Sequence, residues 1–461
     1  MTLRPRFDLL LWALFPLLMT HSPDLAAQEH FIPCFANSEC PQSMRCNWGL
    51  CEDALAPSSG RLFQFSVYTF FDRTSSGLDS LNLRQSLQKR LVRALDTSGY
   101  FTAIDEGGSY PVTMGTLFET ARRGSAYAIL GELMEFDGER AALRIRVFDA
   151  EMGEPLPGME TFIEFALSDS PSVLAKWVNS TIERFSGRPG IIGAGISCVK
   201  KLAPGVKEVF TLDFGSGAPQ PLTFDRSLAL LPTWTPDGKV AYTSYRDGYP
   251  RLFVDGRQEP IAAYDGMNSG AEWSPDGKTV ALTLSKDGGP DVYLLDGESG
   301  KVLRRLTDNP AVDTSPSFSP DGKRIVFVSD RDGTPQLFLM TVDGSEQTRL
   351  TRSGTYNTAP DWHPFGPYVI YNGRYGGSFQ VFRMNVTTGE TTQLTWGPGD
   401  CESPSWSPDG RLILFAWHKR DGSRDLYVMA SDGSNVRAIT DDGGPYYSPE
   451  WARVKDGDAT Q

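Results

Sequence analysis

The sequence predicts a mostly β protein: a six-bladed β-propeller preceded by a smaller α/β domain and a short disulfide-rich N-terminal knob. Three observations carry that prediction. A motif of the form x-[WF]-[ST]-P-D-G-[KR] recurs through the C-terminal half. Between its copies, short runs of Val, Ile, Phe and Leu alternate with Asp-Gly pairs. Residues 58–187 lack the repeat and mix strand-like alternation with helix-spaced leucines.

The motif reads TWTPDGK, EWSPDGK, SFSPDGK and SWSPDGR, with DWHPFGP a degenerate copy and EWARV a truncated one. Its anchors are Trp234, Trp273, Phe318, Trp362, Trp406 and Trp451, at intervals of 39, 45, 44, 44 and 45 residues. The third copy continues as RIVFVSD, RDGT, QLFLMTV, DGSE and TRLT. Apolar runs between Asp-Gly pairs are hairpin signals, because Gly accepts positive φ and Asp bonds its local backbone. Four short antiparallel strands per unit make one propeller blade, and one blade alone cannot bury both faces. The anchors are therefore expected to pack between blades. Trp451 leaves no room for three further strands, whereas ISCVKKL (196–202), KEVFTLDF (207–214) and QPLTF (220–224) precede the first anchor without an anchor strand of their own. The sixth blade is expected to join them to the C-terminal anchor strand, which closes the ring without an open edge.

The acidic turns resemble metal loops only when seen singly. An EF-hand needs acids at positions 1, 3 and 5, Gly at 6 and Glu at 12. Counted from Asp330, position 6 is Pro335 and position 12 is Thr341. Asp-Gly pairs recur in nearly every unit, which marks geometry; a catalytic site would be unique.

Upstream, Arg4 and Arg6 precede an apolar run from Leu9 to Met19, and Ala26 and Ala27 follow, the layout of a secretory signal peptide over residues 1–27. The run is too short to span a bilayer, and no later segment is longer, so no direct membrane insertion is expected. Residues 28–57 hold Cys34, Cys40, Cys46 and Cys51, dense spacing that suggests two disulfides. Three pairings are open, and a zinc site is the weaker rival because the gaps of five, five and four residues do not match thiolate pairs. Cys198 and Cys401 are read as buried thiols in preference to a third bridge. Residues 58–189 form the α/β domain, with a helix stripe at Leu83, Leu87, Leu91 and Leu95 and another at Leu174, Trp177, Val178, Ile182 and Phe185. Three or four strands with helices on one face are expected. Residues 190–461 make the propeller.

The chain of 461 residues carries a net charge of −13, which disfavours nucleic acid as a partner. Beyond the leader the histidines are His30, His363 and His418, none at metal-ligand spacing with another ligand. No G-x-S-x-G elbow, P-loop or G-x-G-x-x-G is present. The reading is therefore no enzyme, no cofactor and no metal, with the protein acting as a monomer.

LRQSLQKRLVRALDTSGYFTAID, GSAYAILGELMEFDGERAALRIRVFDAEMGEPL and IERFSGRPGIIGAGISCVKK, together with the repeats, resemble the TolB family of periplasmic proteins. The resemblance covers about residues 60 to 455. It implies a periplasmic role in the Tol–Pal envelope complex. There the propeller binds a peptidoglycan-associated lipoprotein and the extreme N-terminus contacts the inner-membrane protein TolA. Here the four-cysteine segment stands in place of the family's short strand-like N-terminus, which sets the TolA contact apart.

Strand alternation puts the SPDG turns on one propeller face and the blade-to-blade loops on the other. The first repeats its chemistry; the second varies, and variable loops on a fixed frame carry specificity. The candidate partner-binding residues lie four or five positions before each anchor: Asn268, Ser269, Asp313, Thr314, Asn357, Thr358, Glu402 and Tyr446. The competing readings are a hydrolase or lyase in the propeller channel and a glycan-binding propeller. A channel site would need inward-facing acids, His or Arg, and no such cluster is evident in the sequence.

Overall fold

The computed structural model describes residues 63–68, 70–74, 80–107, 113–187, 189–442 and 444–453, with the backbone of 32–33, 44–47 and 50–53. The expected leader, Cys34 and Cys40 lie outside the described residues. The chain divides into two compact units, Met1–Ala56 and Pro57–Gln461. In the first, strands Ile32–Pro33, Leu50–Asp53 and Met44–Asn47 pair antiparallel in that order, and Cys46 stands opposite Cys51 in the register.

The second unit begins with a six-stranded mixed sheet. Its order is Phe101–Asp105, Phe63–Val67, Tyr127–Phe136, Arg140–Asp149 and Pro155–Ala166, with Phe71–Asp72 also paired to Tyr127–Phe136. Helices α1 (Leu81–Thr97) and α3 (Ser170–Ser186) bury the expected leucine and aromatic stripes against Ile129, Leu133, Leu143, Ile145 and Val147. Helix α2 (Met114–Arg122) packs Leu117 against Ala128 and Leu130, which alternate to the opposite side. The expectation of three or four strands with helices on one face is corrected on both counts. The extra strands are short or parallel, and their partners are remote in sequence.

The remaining strands form six blades. Blades 2 to 5 are four-stranded, with innermost A strands Asn268–Trp273, Asp313–Phe318, Asn357–Trp362 and Asp400–Trp406. Blade 1 has Ala229–Trp234, Val240–Ser244 and Arg251–Val254, and its fourth strand shrinks to a single bridge between Leu252 and Ala262. The shorter interval of 39 residues after Trp234 reflects that loss. Blade 6 joins the C-terminal Tyr446–Trp451 to Gly195–Ala203, Val206–Asp213 and Ser216–Pro221, the closure read from the sequence, with its last strand earlier than expected.

Each anchor seals a seam. Trp273 sits with Leu252 and Val254 of blade 1, Phe318 with Val292 of blade 2, Trp362 with Val326 and Leu337 of blade 3, and Trp451 with Leu414 and Leu426 of blade 5. A buried threonine pegs the outer strands: Thr307, Thr351 and Thr395 accept from Val292, Leu337 and Val381 N–H and donate to Asp291, Gln336 and Gln380. These pegs satisfy polar groups that burial would otherwise strand. Cys198 and Cys401 are buried free thiols.

The turn at the C-terminus of α1 rests on blade 5. Tyr100 Oη donates to Asp409 Oδ2 (2.8 Å), the Arg411 guanidinium lies 3.9 Å from the Tyr100 ring, and Arg437 donates to Thr97 O (2.6 Å).

Candidate partner-binding face and central channel

On one propeller face the SPDG turns are self-contained. Ser274 Oγ donates to Asp276 (2.7 Å), Ser319 Oγ to Asp321 (2.6 Å) and Thr235 Oγ1 to Asp237 (2.5 Å). Those hydroxyl bonds hold all three carboxyls below the usual carboxylate range. An acceptor held ionised by its own turn is a poor proton donor, so these acids are turn geometry. In the degenerate fourth copy His363 takes the place of Ser. Phe365 N–H donates to its Nδ1 (3.0 Å), which leaves the proton on Nε2, 3.1 Å from Gly410 O.

On the other face every A strand enters the ring in the same way. The third residue before each anchor has positive φ: Leu231 (50°), Gly270 (63°), Ser315 (51°), Ala359 (50°), Ser403 (52°) and Ser448 (43°). Each marks a bulge. Thr314 pairs with Val328 and Ser317 with Val326, so residues 315 and 316 stand opposite 327 alone. The bulge fixes which neighbour turns inward. The fifth residue before the anchor is buried in every blade, and the fourth is half-exposed in every blade.

The eight candidates therefore fall into two sets. Asn268, Asp313, Asn357 and Tyr446 are buried pegs. Asn268 Nδ2 donates to Tyr264 O (2.7 Å) and Pro250 O (3.1 Å), and Asn357 Nδ2 donates to Gln336 Oε1 (2.8 Å). Arg331 Nη2 donates to both Asp313 oxygens (3.2 and 3.0 Å), and Asn309 adds a third bond (2.6 Å). Tyr446 Oη donates to Asp442 (3.0 Å) and accepts from Lys200 (3.0 Å), and burial pushes its phenol up to about 12. Ser269, Thr314, Thr358 and Glu402 stay half-exposed on this face. Glu402 Oε2 lies 3.0 Å from His418 Nδ1. Exposed Phe224, Tyr249, Tyr375 and Trp396 lie on the same side, in the blade-to-blade loops and the turns between the second and third strands.

The channel holds acids that the sequence reading missed. The residue just before the anchor runs Thr233, Glu272, Ser317, Asp361, Ser405, Glu450, with an acid in every second blade. Phe318 N–H donates to Glu272 (3.0 Å), Trp406 N–H to Asp361 (2.6 Å) and Thr233 Oγ1 to Glu450 (2.7 Å). Burial, with Glu272 nearby, pushes Asp361 up to about 7 and Glu450 to about 8. Arg453 enters the channel and pairs with Glu272. The signal was legible as an alternation of hydroxyl and acid beside the anchors. All three acids accept hydrogen bonds across a blade seam, and among the described residues no group of three His, Cys, Asp or Glu is arranged to hold a metal ion.

A family model described as the TolB beta propeller domain matches residues 182–455, more than half of the chain. The Tol-Pal system protein TolB of Desulfosudis oleivorans is 39% identical over 143 residues, 30% of this chain and 32% of that protein. That of Anaeromyxobacter dehalogenans is 35% identical over 155 residues, 32% of this chain and 35% of that protein. The chain thus spans about a third of the length of these curated relatives. The crystal structure of TolB from Acinetobacter baumannii matches with a TM-score of 0.73 at 24% identity, over 86% of this chain and 97% of that one, a likeness of fold.

Proposed function

This chain belongs to the TolB β-propeller family, and from that premise we propose that it is a periplasmic, non-enzymatic binding scaffold of a Tol–Pal-type envelope complex. In this reading residues 1–27 export it, and the propeller binds a peptidoglycan-associated lipoprotein through the face that carries the blade-to-blade loops. The complex then supports outer-membrane integrity and constriction during cell division. Names of the relatives support membership of the Tol–Pal system. Among the described residues no helix is long and apolar enough to cross a membrane.

One observation supports the choice of face. The SPDG side spends its polar groups within its own turns, whereas the opposite side leaves Ser269, Thr314, Thr358 and Glu402 half-exposed among exposed aromatic residues. Exposed aromatic residues are enriched in protein-binding patches, and the half-exposed polar residues between them are free to vary with the partner. The channel acids favour no enzymatic reading, since each is engaged in holding a blade seam.

The test is capture of the lipoprotein from an outer-membrane extract by the immobilised chain. Ser269→Arg, Thr314→Arg and Thr358→Arg together should abolish capture while the melting curve is retained. Charge reversal at Asp313 is unsuitable, because it would break the buried pair with Arg331. Turnover of a peptide or glycan without lipoprotein capture would overturn the proposal.

A further inference from the structure

On the loop-bearing face most cations of blades 1 to 3 sit beside carboxylates, while Arg226 and Arg352 are exposed in separate loops with no ion pair among the described residues. Arg246 faces Asp225, Arg251 faces Asp247, Lys286 faces Asp287, Arg305 faces Asp291 and Arg331 faces Asp313. The seam between blades 5 and 6 differs. Two turns meet there, HKRDGSR (418–424) and VKKLAPGVK (199–207), both basic in a chain of net charge −13. Lys207 Nζ stands 4.1 Å from the centre of the Tyr447 ring and the Arg424 guanidinium 4.9 Å from it, with Arg424 Nη1 also donating to Tyr447 Oη. Lys201 is exposed close by. Among the described residues no carboxylate pairs with Lys201, Lys207 or Arg424. Lys200 is already neutralised by Asp442 (2.5 Å), and Glu402 is taken by His418, whose ring lies 5.3 Å from Tyr447.

We propose that this seam is a carboxylate-recognition notch, in which Lys207 and Arg424, on the Tyr447 ring, take up an acidic side chain of the protein partner docked on this face. The inference rests on the functional reading above and adds the partner's chemistry. Partial burial and the nearby charges of Lys201 and Arg424 hold Lys207 below the usual lysine range, a strain that an incoming carboxylate relieves. A polyanion crossing the whole face would meet Asp247, Asp287 and Asp332, so a single acidic side chain or a short acidic segment fits better.

Two measurements test it. Fluorescence anisotropy with the labelled hexapeptide (Asp-Glu)3 should show binding to the full chain that weakens with added salt, with none for (Asn-Gln)3. The double variant Lys207→Gln/Arg424→Gln should bind the acidic peptide about ten- to a hundredfold more weakly, as for loss of charge-assisted hydrogen bonds. Lys239→Gln, on the opposite face, should bind like wild type. Unchanged melting would show that the double variant folds. The same double variant should lose lipoprotein capture at least about tenfold by the same arithmetic. Equal peptide binding by wild type and the double variant overturns the notch, as does undiminished lipoprotein capture, which leaves the functional reading intact. Capture that fails for the wild-type chain overturns the functional reading, and the peptide titration then decides the notch alone.

Discussion

Asp313 and Thr314 are adjacent, yet the bulge that follows them gives them opposite roles. Asp313 is fully buried, and its carboxylate accepts from Arg331 and Asn309. Asp313→Ala would strand the Arg331 guanidinium, whose side chain is 24% exposed. Breaking a fully buried ion pair costs about 3–5 kcal/mol. Arg331 keeps partial exposure, bonds to Ser329 and Gln347, and the Phe338 ring at 4.8 Å. The lower range, about 2–4 kcal/mol, therefore applies. For a unit of about 400 residues that is a melting shift of roughly 2–5 °C. Thr314→Ala, on the half-exposed side, should cost no more than about 0.5 kcal/mol. Calorimetry on the two single variants makes the comparison. A wild-type melting point for Asp313→Ala, or equal losses for both, would refute the inward and outward assignment that the bulge imposes.

Other consequences follow from the same packing. Asp361 and Glu450 have folded values near 7 and 8 against ordinary values of 3.8 and 4.5, so their contribution is most favourable below about pH 4 and is lost as pH rises through 7 to 8. Arg453 opposes that loss, so Arg453→Met should cost about 1–2 kcal/mol more at pH 9 than at pH 5 in denaturant melts, with its half-exposed side chain discounted; a pH-independent loss would contradict this. Burial pushes the thiols of Cys198 and Cys401 up to about 12, so peptide mapping should find neither labelled by maleimide at pH 7 until the chain unfolds. Tyr100→Phe removes a buried hydroxyl bond to Asp409 and should cost about 1.5–3 kcal/mol, read as a lower denaturant midpoint; an unchanged midpoint would show that the contact carries no weight.

The propeller was legible because one turn recurs at a near-constant interval, and repetition averages out the ambiguity of any single strand. Its closure was legible from three strands without an anchor and one anchor without strands. The α/β sheet was less so. Phe71–Asp72 is two residues long, and the parallel pairing of Phe63–Val67 with Phe101–Asp105 leaves no hairpin signal between them. The candidate face followed from strand alternation, but side-chain direction within it did not. A bulge shifts the two-residue period by one, and Leu231, Ser315, Ala359, Ser403 and Ser448 give no residue-type warning of positive φ. Asn268, Asp313, Asn357 and Tyr446 were therefore grouped with outward neighbours although their side chains turn inward. The channel acids were overlooked for a related reason: they sit beside the repeat's strongest signal and differ only between alternate blades.

If the loop-bearing face holds the partner, positions on that face should lie against it in the cell. Site-specific photo-crosslinking in living cells tests it most directly, with a benzophenone side chain placed at Ser269 or Thr358 on that face, or at Lys278 on the SPDG face. Ser269 and Thr358 are half-exposed and Lys278 lies in a turn at the opposite end of the same blade as Ser269. A lipoprotein adduct is expected from the first two positions and none from Lys278. An adduct from Lys278, or none from Ser269 and Thr358, would contradict it.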